Sequence, residues 1–136
     1  MTVIVCVSEG GGMLFLGRRV SKDARVIENV GQLVGDGALF VSEYTEKLFS
    51  DSALSVIVAT DPLKTAGKGD FVFAEQGGIS AYSEKIERLV IYRWNRRYPF
   101  DTALDLDPAS AGLVRRESID IVGRSHEKIT REIYER

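Results

Sequence analysis

The chain has 136 residues, 44% hydrophobic and 28% charged, an ordinary globular balance with material for one good core. Its 18 basic and 20 acidic side chains leave a formal charge of −2, which gives no general pull toward nucleic acid or an anionic membrane. The longest apolar run, Val3 to Val7, is too short to span a bilayer, the N-terminus lacks the basic region and cleavage site of a secretory leader, and the single cysteine, Cys6, suits a reducing cytosol. One cytoplasmic domain is expected.

Val3 to Val7 is continuously apolar, as a strand buried on both faces should be, and it runs into Gly10-Gly11-Gly12, expected to be a mobile or ligand-approaching loop. Ser21 is an apt N-cap and Asp23 suits the first turn of a helix. Ala24, Ile27, Val30 and Val34 then recur at helical spacing until Gly35-Asp36-Gly37 ends the run. Ala38 to Val41 reads as a short strand, and Thr45 to Phe49 as a helical turn. Leu54 to Ala59 reads as another buried strand closed by Asp61-Pro62, and Lys64 to Gly69 as a loop. Asp70 to Ala74 is a fourth strand, with Gly77-Gly78 just beyond it, and Ile86 to Trp94 is a longer one. Leu113 to Ser118 is a further strand. The tail from Ser125 to Arg136 is rich in Glu, Lys and Arg and spaces Ile129 and Ile133 four apart, both helical features. Read as a strand, Lys128 to Tyr134 puts Ile129, Arg131 and Ile133 on one face and gives Leu113 to Ser118 a partner. The strand is the expectation. Strands alternating with helices predict an α/β domain of three layers around a mixed, mainly parallel sheet.

Several chemistries lack their residues. There is no phosphate loop, since Gly67-Lys68-Gly69 lacks the flanking pattern, and no Gly-x-Gly-x-x-Gly follows the first strand. Only Cys6 and His126 could serve as soft or imidazole metal ligands, so no metal is expected. A Ser-His-Asp triad could be built only on His126, which reads as a capped or surface histidine. Arg96 and Arg97 beside Trp94 and Tyr98 read as a solvated strand end rather than a base-stacking surface.

The order of elements and several short stretches resemble the dihydrofolate reductases over nearly the whole chain. Val3 to Gly12 is similar to that family's first strand and flexible loop, and Ser21-Lys22-Asp23 falls on its Pro-x-Asp. Ala38-Leu-Phe-Val-Ser-Glu-Tyr-Thr45 resembles its strand leading into a helix N-terminus that holds dinucleotide phosphates. Val56-Ile-Val-Ala-Thr-Asp-Pro62, Leu89-Val-Ile-Tyr92, and Ser125-His126 with Glu132 to Arg136 resemble the later strands. The chain is shorter than typical members, and the gap falls between Thr60 and Asp70. Either Asp70 to Ala74 is the central strand before the family's paired glycines, which is preferred, or it is an edge strand.

The resemblance implies a catalytic pair, Asp23 with Tyr92 within hydrogen-bonding reach, Asp23 being a pocket acid whose pKa burial raises or, equally, a plain first-turn residue. It implies substrate contacts at Arg18, Arg19 and Ile27, and NADP(H) contacts at Thr45, Thr60, Gly77 and Gly78. Departures oppose folate chemistry. Gly17-Arg18 replaces the family's Pro-Trp, Ile27 its stacking aromatic, Ala53 its glutamate-binding Arg, and Tyr92 its Thr. Two functional readings follow: a domain without folate reductase activity that binds a nucleotide or small anionic ligand or serves as an interaction module, and, as the alternative, a nicotinamide-dependent reductase of a small non-folate substrate.

Overall fold

The computed structural model describes residues 1–136. In chain order the elements are β1 (Thr2–Val7), β2 (Gly12–Phe15), β3 (Arg18–Arg19), α1 (Ala24–Val34), β4 (Leu39–Val41) and α2 (Glu43–Glu46), whose end tightens into a 3-10 turn at Lys47–Phe49. There follow β5 (Val56–Val58), α3 (Pro62–Thr65), β6 (Phe71–Phe73), a 3-10 segment at Ile79–Lys85, β7 (Arg88–Arg93), β8 (Thr102–Ala103), β9 (Val114–Ile121) and β10 (Ile129–Glu135). Seven strands form one sheet in the order β5-β4-β6-β1-β7-β10-β9. Every pairing from β5 to β7 is parallel, whereas β10 runs antiparallel to both β7 and β9.

β1 lies at the centre, flanked by β6 and β7, as its unbroken apolar character requires. Because side chains alternate across a strand, Val3, Val5 and Val7 face one layer and Ile4 the other. The first layer packs Leu63, Ala66, Ile79 and Ile86 beneath the sheet. The second packs Val26, Val30 and Val34 of α1, with Phe49, over Ile4, Val90, Tyr92 and Ile133. The three layers are therefore as the alternating pattern predicts. β6 pairs directly with β1, so Asp70 to Ala74 is the central strand before Gly77-Gly78 and not an edge.

The charged tail is a strand. β10 pairs along its length with both β7 and β9, and Ile129 and Ile133 enter the α1 layer while Tyr134 packs on the opposite one. Two-sided ladder pairing outweighs the helical propensity of its Glu, Lys and Arg. Glu132 is buried there but is paired with Arg93 at 2.7 Å and Arg115 at 3.5 Å.

Four local expectations need correction. Asp23 caps α1 in place of Ser21: its backbone is extended and its side chain accepts from the Arg25 amide. Leu54 to Ala59 is no buried strand, because β5 is the sheet edge and leaves Ile57 and Val58 exposed. Lys64 and Thr65 belong to the short helix α3, which begins on Pro62. The segment after Gly10-Gly11 joins a second sheet, β3-β2-β8, which the sequence pattern did not show. Gly12 is needed in that sheet, since a Cβ there would lie 2.4 Å from the Phe100 ring.

Candidate functional site

An open cleft of about 1200 Å³ runs along α1 and is closed opposite by the Lys47 to Ser55 segment. Ile27, Leu48 and Leu54 give it an apolar floor, and Lys22, Lys47, Glu28, Asp36 and Asp51 ring it with mixed charge. Arg19, Asp23 and Ala53 also line it. The residues that the sequence places at a substrate site are thus brought together, with the exception of Arg18. Arg18 and Arg19 are neighbours on β3, so their side chains leave on opposite faces, and Arg18 is exposed. The two arginines do not close over one ligand.

Asp23 and Tyr92 do not meet. The Tyr92 hydroxyl, fully buried, donates to Asn29 Oδ1 on α1, which also accepts from Arg131 at 2.8 Å. Burial, reinforced by Cys6, pushes the Tyr92 phenol far above its ordinary range, against the opposing effect of Arg131. Asp23 faces the loop between β9 and β10. Its Oδ1 accepts from the backbone amides of Arg25 (2.9 Å) and Arg124 (3.0 Å), and its Oδ2 from the Ser125 amide (2.9 Å), the Ser125 hydroxyl (3.1 Å) and His126 Nδ1 (2.9 Å). Loss of water raises its pKa. The donors from Arg124, His126, Ser125 and Arg25 together outweigh that and hold the carboxyl well below the usual carboxylate range. Asp23 is therefore a fixed anion, and the raised pKa expected of a pocket acid is not found.

The expected cofactor residues are divided. Thr45 is fully buried and bonded within the protein: Ser42 caps its amide at 3.2 Å, and its hydroxyl donates to Glu75 Oε1 at 2.7 Å. Glu75 also takes a two-pronged contact from Arg19, at 2.7 Å from Nε and 3.0 Å from Nη2. The Arg19 guanidinium lies over the Tyr44 ring, 4.5 Å from its centroid. Cys6 sits beside this pair, and its thiol is pushed up by loss of water first and by Glu75 second, with Arg19 opposing. Thr60, Gly77 and Gly78 are exposed at the loops beyond β5 and β6. They are not in contact with the Thr45 cluster through any hydrogen bond.

Residues outside the expected substrate and cofactor sets hold the site together. His126 is buried, stacks on Trp94 with ring centroids 4.6 Å apart at 24°, and places Nε2 2.9 Å from Ser21 Oγ and 3.1 Å from the Tyr98 hydroxyl. It is not a surface histidine, and Trp94 is not free to stack on a base. Glu75 did carry a signal, as an acid directly between an apolar strand and paired glycines. Gly123 carried another: a Cβ there would lie 2.6 Å from Asp23 Oδ2, so only glycine lets the loop reach the carboxylate.

With this geometry in place, comparison of the coordinates decides the fold. A solved structure of dihydrofolate reductase from Enterococcus faecalis, complexed with NADP(H) and RAB-propyl, superposes with a TM-score of 0.66 over 99% of this chain and 95% of that one, at 15% identity. The chain has the dihydrofolate reductase fold. No protein-family model and no curated protein matches the sequence. At that identity the likeness establishes the dihydrofolate reductase architecture alone, in a strongly diverged sequence, and the chemistry has to be read from this chain's own residues.

Proposed function

We propose that this chain is a small-molecule-binding domain built on the dihydrofolate reductase fold, without folate reductase activity, and that its ligand lies in the cleft along α1. The carrying observation is Glu75, which engages both Thr45 and Arg19 beside a cleft that stays open. Glu75 takes up the hydroxyl that would otherwise face a dinucleotide phosphate, and its charge repels such a phosphate. The residues present do not fit NADP(H) at that point. Arg19 is neutralised by the same carboxylate, and Arg18 faces away, so an anionic ligand loses both of its expected partners. What remains is Ile27, Leu48 and Leu54 below and Lys22, Lys47, Asp36 and Asp51 above, which suit a polar or zwitterionic molecule with an apolar ring or chain.

The competing reading, nicotinamide-dependent reduction of a non-folate substrate, draws support from the NADP(H) in the Enterococcus faecalis structure. Amide chemical-shift mapping separates the two. Nucleosides and aromatic fragments should perturb Ile27, Gly31, Leu48 and Leu54, and NADPH should leave Thr45, Thr60, Gly77 and Gly78 unmoved. Saturable NADPH shifts at those last four would overturn the proposal in favour of the reductase.

A further inference from the structure

Beside the cleft, one cluster sets a partly exposed hydroxyl, a buried imidazole and a buried carboxylate in series. Ser21 Oγ lies 2.9 Å from His126 Nε2, and His126 Nδ1 lies 2.9 Å from Asp23 Oδ2. Two of them are local in sequence and the third is distant. Ser21 precedes the α1 cap, Asp23 is the cap, and His126 sits in the loop between β9 and β10. The imidazole is clamped by stacking on Trp94, and the carboxylate by the amides of Arg25, Arg124 and Ser125. An acceptor-only carboxylate at Nδ1 requires the proton there. In the neutral ring this leaves the lone pair on Nε2, facing Ser21.

We propose that Ser21, His126 and Asp23 form a nucleophile, base and orienting acid that hydrolyse small carboxylic esters. A clasp between α1 and the β9–β10 loop needs only the Asp23–His126 contact. The hydroxyl on the far nitrogen, partly open to solvent, is the additional part that acyl transfer uses. Ser21 Oγ attacks the ester carbonyl carbon as its proton passes to Nε2. The carbon–oxygen bond to the alcohol then breaks, and the alcohol leaves with that proton. Water attacks the acyl-serine, giving a proton to Nε2 and then to Ser21 Oγ, and the carboxylic acid departs with no net oxidation or reduction. Asp23 stays ionised throughout and holds the ring orientation. The Tyr98 hydroxyl accepts from Ser21 Oγ at 3.3 Å and lies 3.1 Å from Nε2, so it helps to hold the serine hydroxyl against the ring. Tyr98 also borders an open concavity of about 490 Å³ with Glu9, Gly10, Arg97, Pro99 and Phe100.

The test uses the full chain with an alkyl fluorophosphonate, followed by intact mass and peptide mapping. The expected result is one adduct, on Ser21, absent in Ser21→Ala and formed roughly a hundredfold more slowly in His126→Gln. If the latter variant fails to fold, Asp23→Asn, which can still cap α1, makes the same comparison. In a second measurement, Ser21→Cys should be alkylated by iodoacetamide faster than an unstructured peptide thiol at neutral pH, because the imidazole draws off its proton, while Cys6 stays unreactive. No adduct on Ser21, an adduct rate indifferent to His126 or Asp23, or a Ser21→Cys thiol no faster than the peptide would each overturn the proposal.

Discussion

Removing the Asp23 carboxylate strips acceptors at once from the amides of Arg25, Arg124 and Ser125 and from the His126 ring. Asp23→Ala should therefore cost on the order of 2–5 kcal/mol, more than a lost helix cap, because several buried donors lose their acceptor together. Urea unfolding at neutral pH checks this, and a loss below about 1 kcal/mol would contradict it. The same carboxylate sets an acid dependence. Its folded pKa is depressed, so its contribution is complete above the ordinary carboxylate pKa of about 4 and is lost as pH falls through the lower folded value. The wild-type urea midpoint should fall between pH 4 and 2 more steeply than that of Asp23→Asn. Glu75 offers the complementary test. Glu75→Gln frees Arg19 and removes the opposing charge, so NADPH affinity should rise by roughly tenfold or more over the wild type, read by titration. Unchanged affinity would show that Glu75 does not guard that edge. Glu75 left a local trace in the sequence, but the partners of Asp23 did not. Asp23 could be placed at a helix start and in the family's register, but its partner His126 lies 103 residues away, and no local pattern joins them.

At the scale of elements, the sequence was clearest where strands are buried on both faces. Val3 to Val7, Asp70 to Ala74 and Ile86 to Trp94 stand side by side as their apolar runs imply. Periodicity failed at β5, whose apolar Ile57 and Val58 face solvent at an edge, and at β2, β3 and β8. The last three pair over only a few residues, Gly12 with Ala103 among them, and so leave no periodic trace. The tail shows why propensity alone misleads: β10 is held between β7 and β9, and those ladders decide its form. Amide exchange should accordingly be slowest in β1 and β7, slow in β10, and fastest in β5 and β9, the two edges. A rapidly exchanging β10 would contradict the two-sided pairing. The β9–β10 loop depends on Gly123, and Gly123→Ala should destabilise by about 1–3 kcal/mol through contact with Asp23 and the His126 carbonyl. A thermal melt reads this as a drop of several degrees.

On the scale of the whole molecule, the dihydrofolate reductase fold is present, and the proposal is that the groups folate reduction would use are absent or otherwise engaged. Ala53, Ile27 and Gly17-Arg18 replace residues that the family resemblance implies, and that much could be read from the chain. The engagement of Thr45 and Arg19 by Glu75, and of Asp23 by the β9–β10 loop, required coordinates, because it depends on which loops converge at the sheet's carboxyl edge. No helix is long and apolar enough to cross a membrane, and no cluster of three or more His, Cys, Asp or Glu side chains is arranged to hold a metal ion. The most direct test is the nicotinamide absorbance of NADPH mixed with dihydrofolate, followed with and without the purified chain. No protein-dependent loss of absorbance is expected. A steady, enzyme-proportional loss that yields tetrahydrofolate would contradict it.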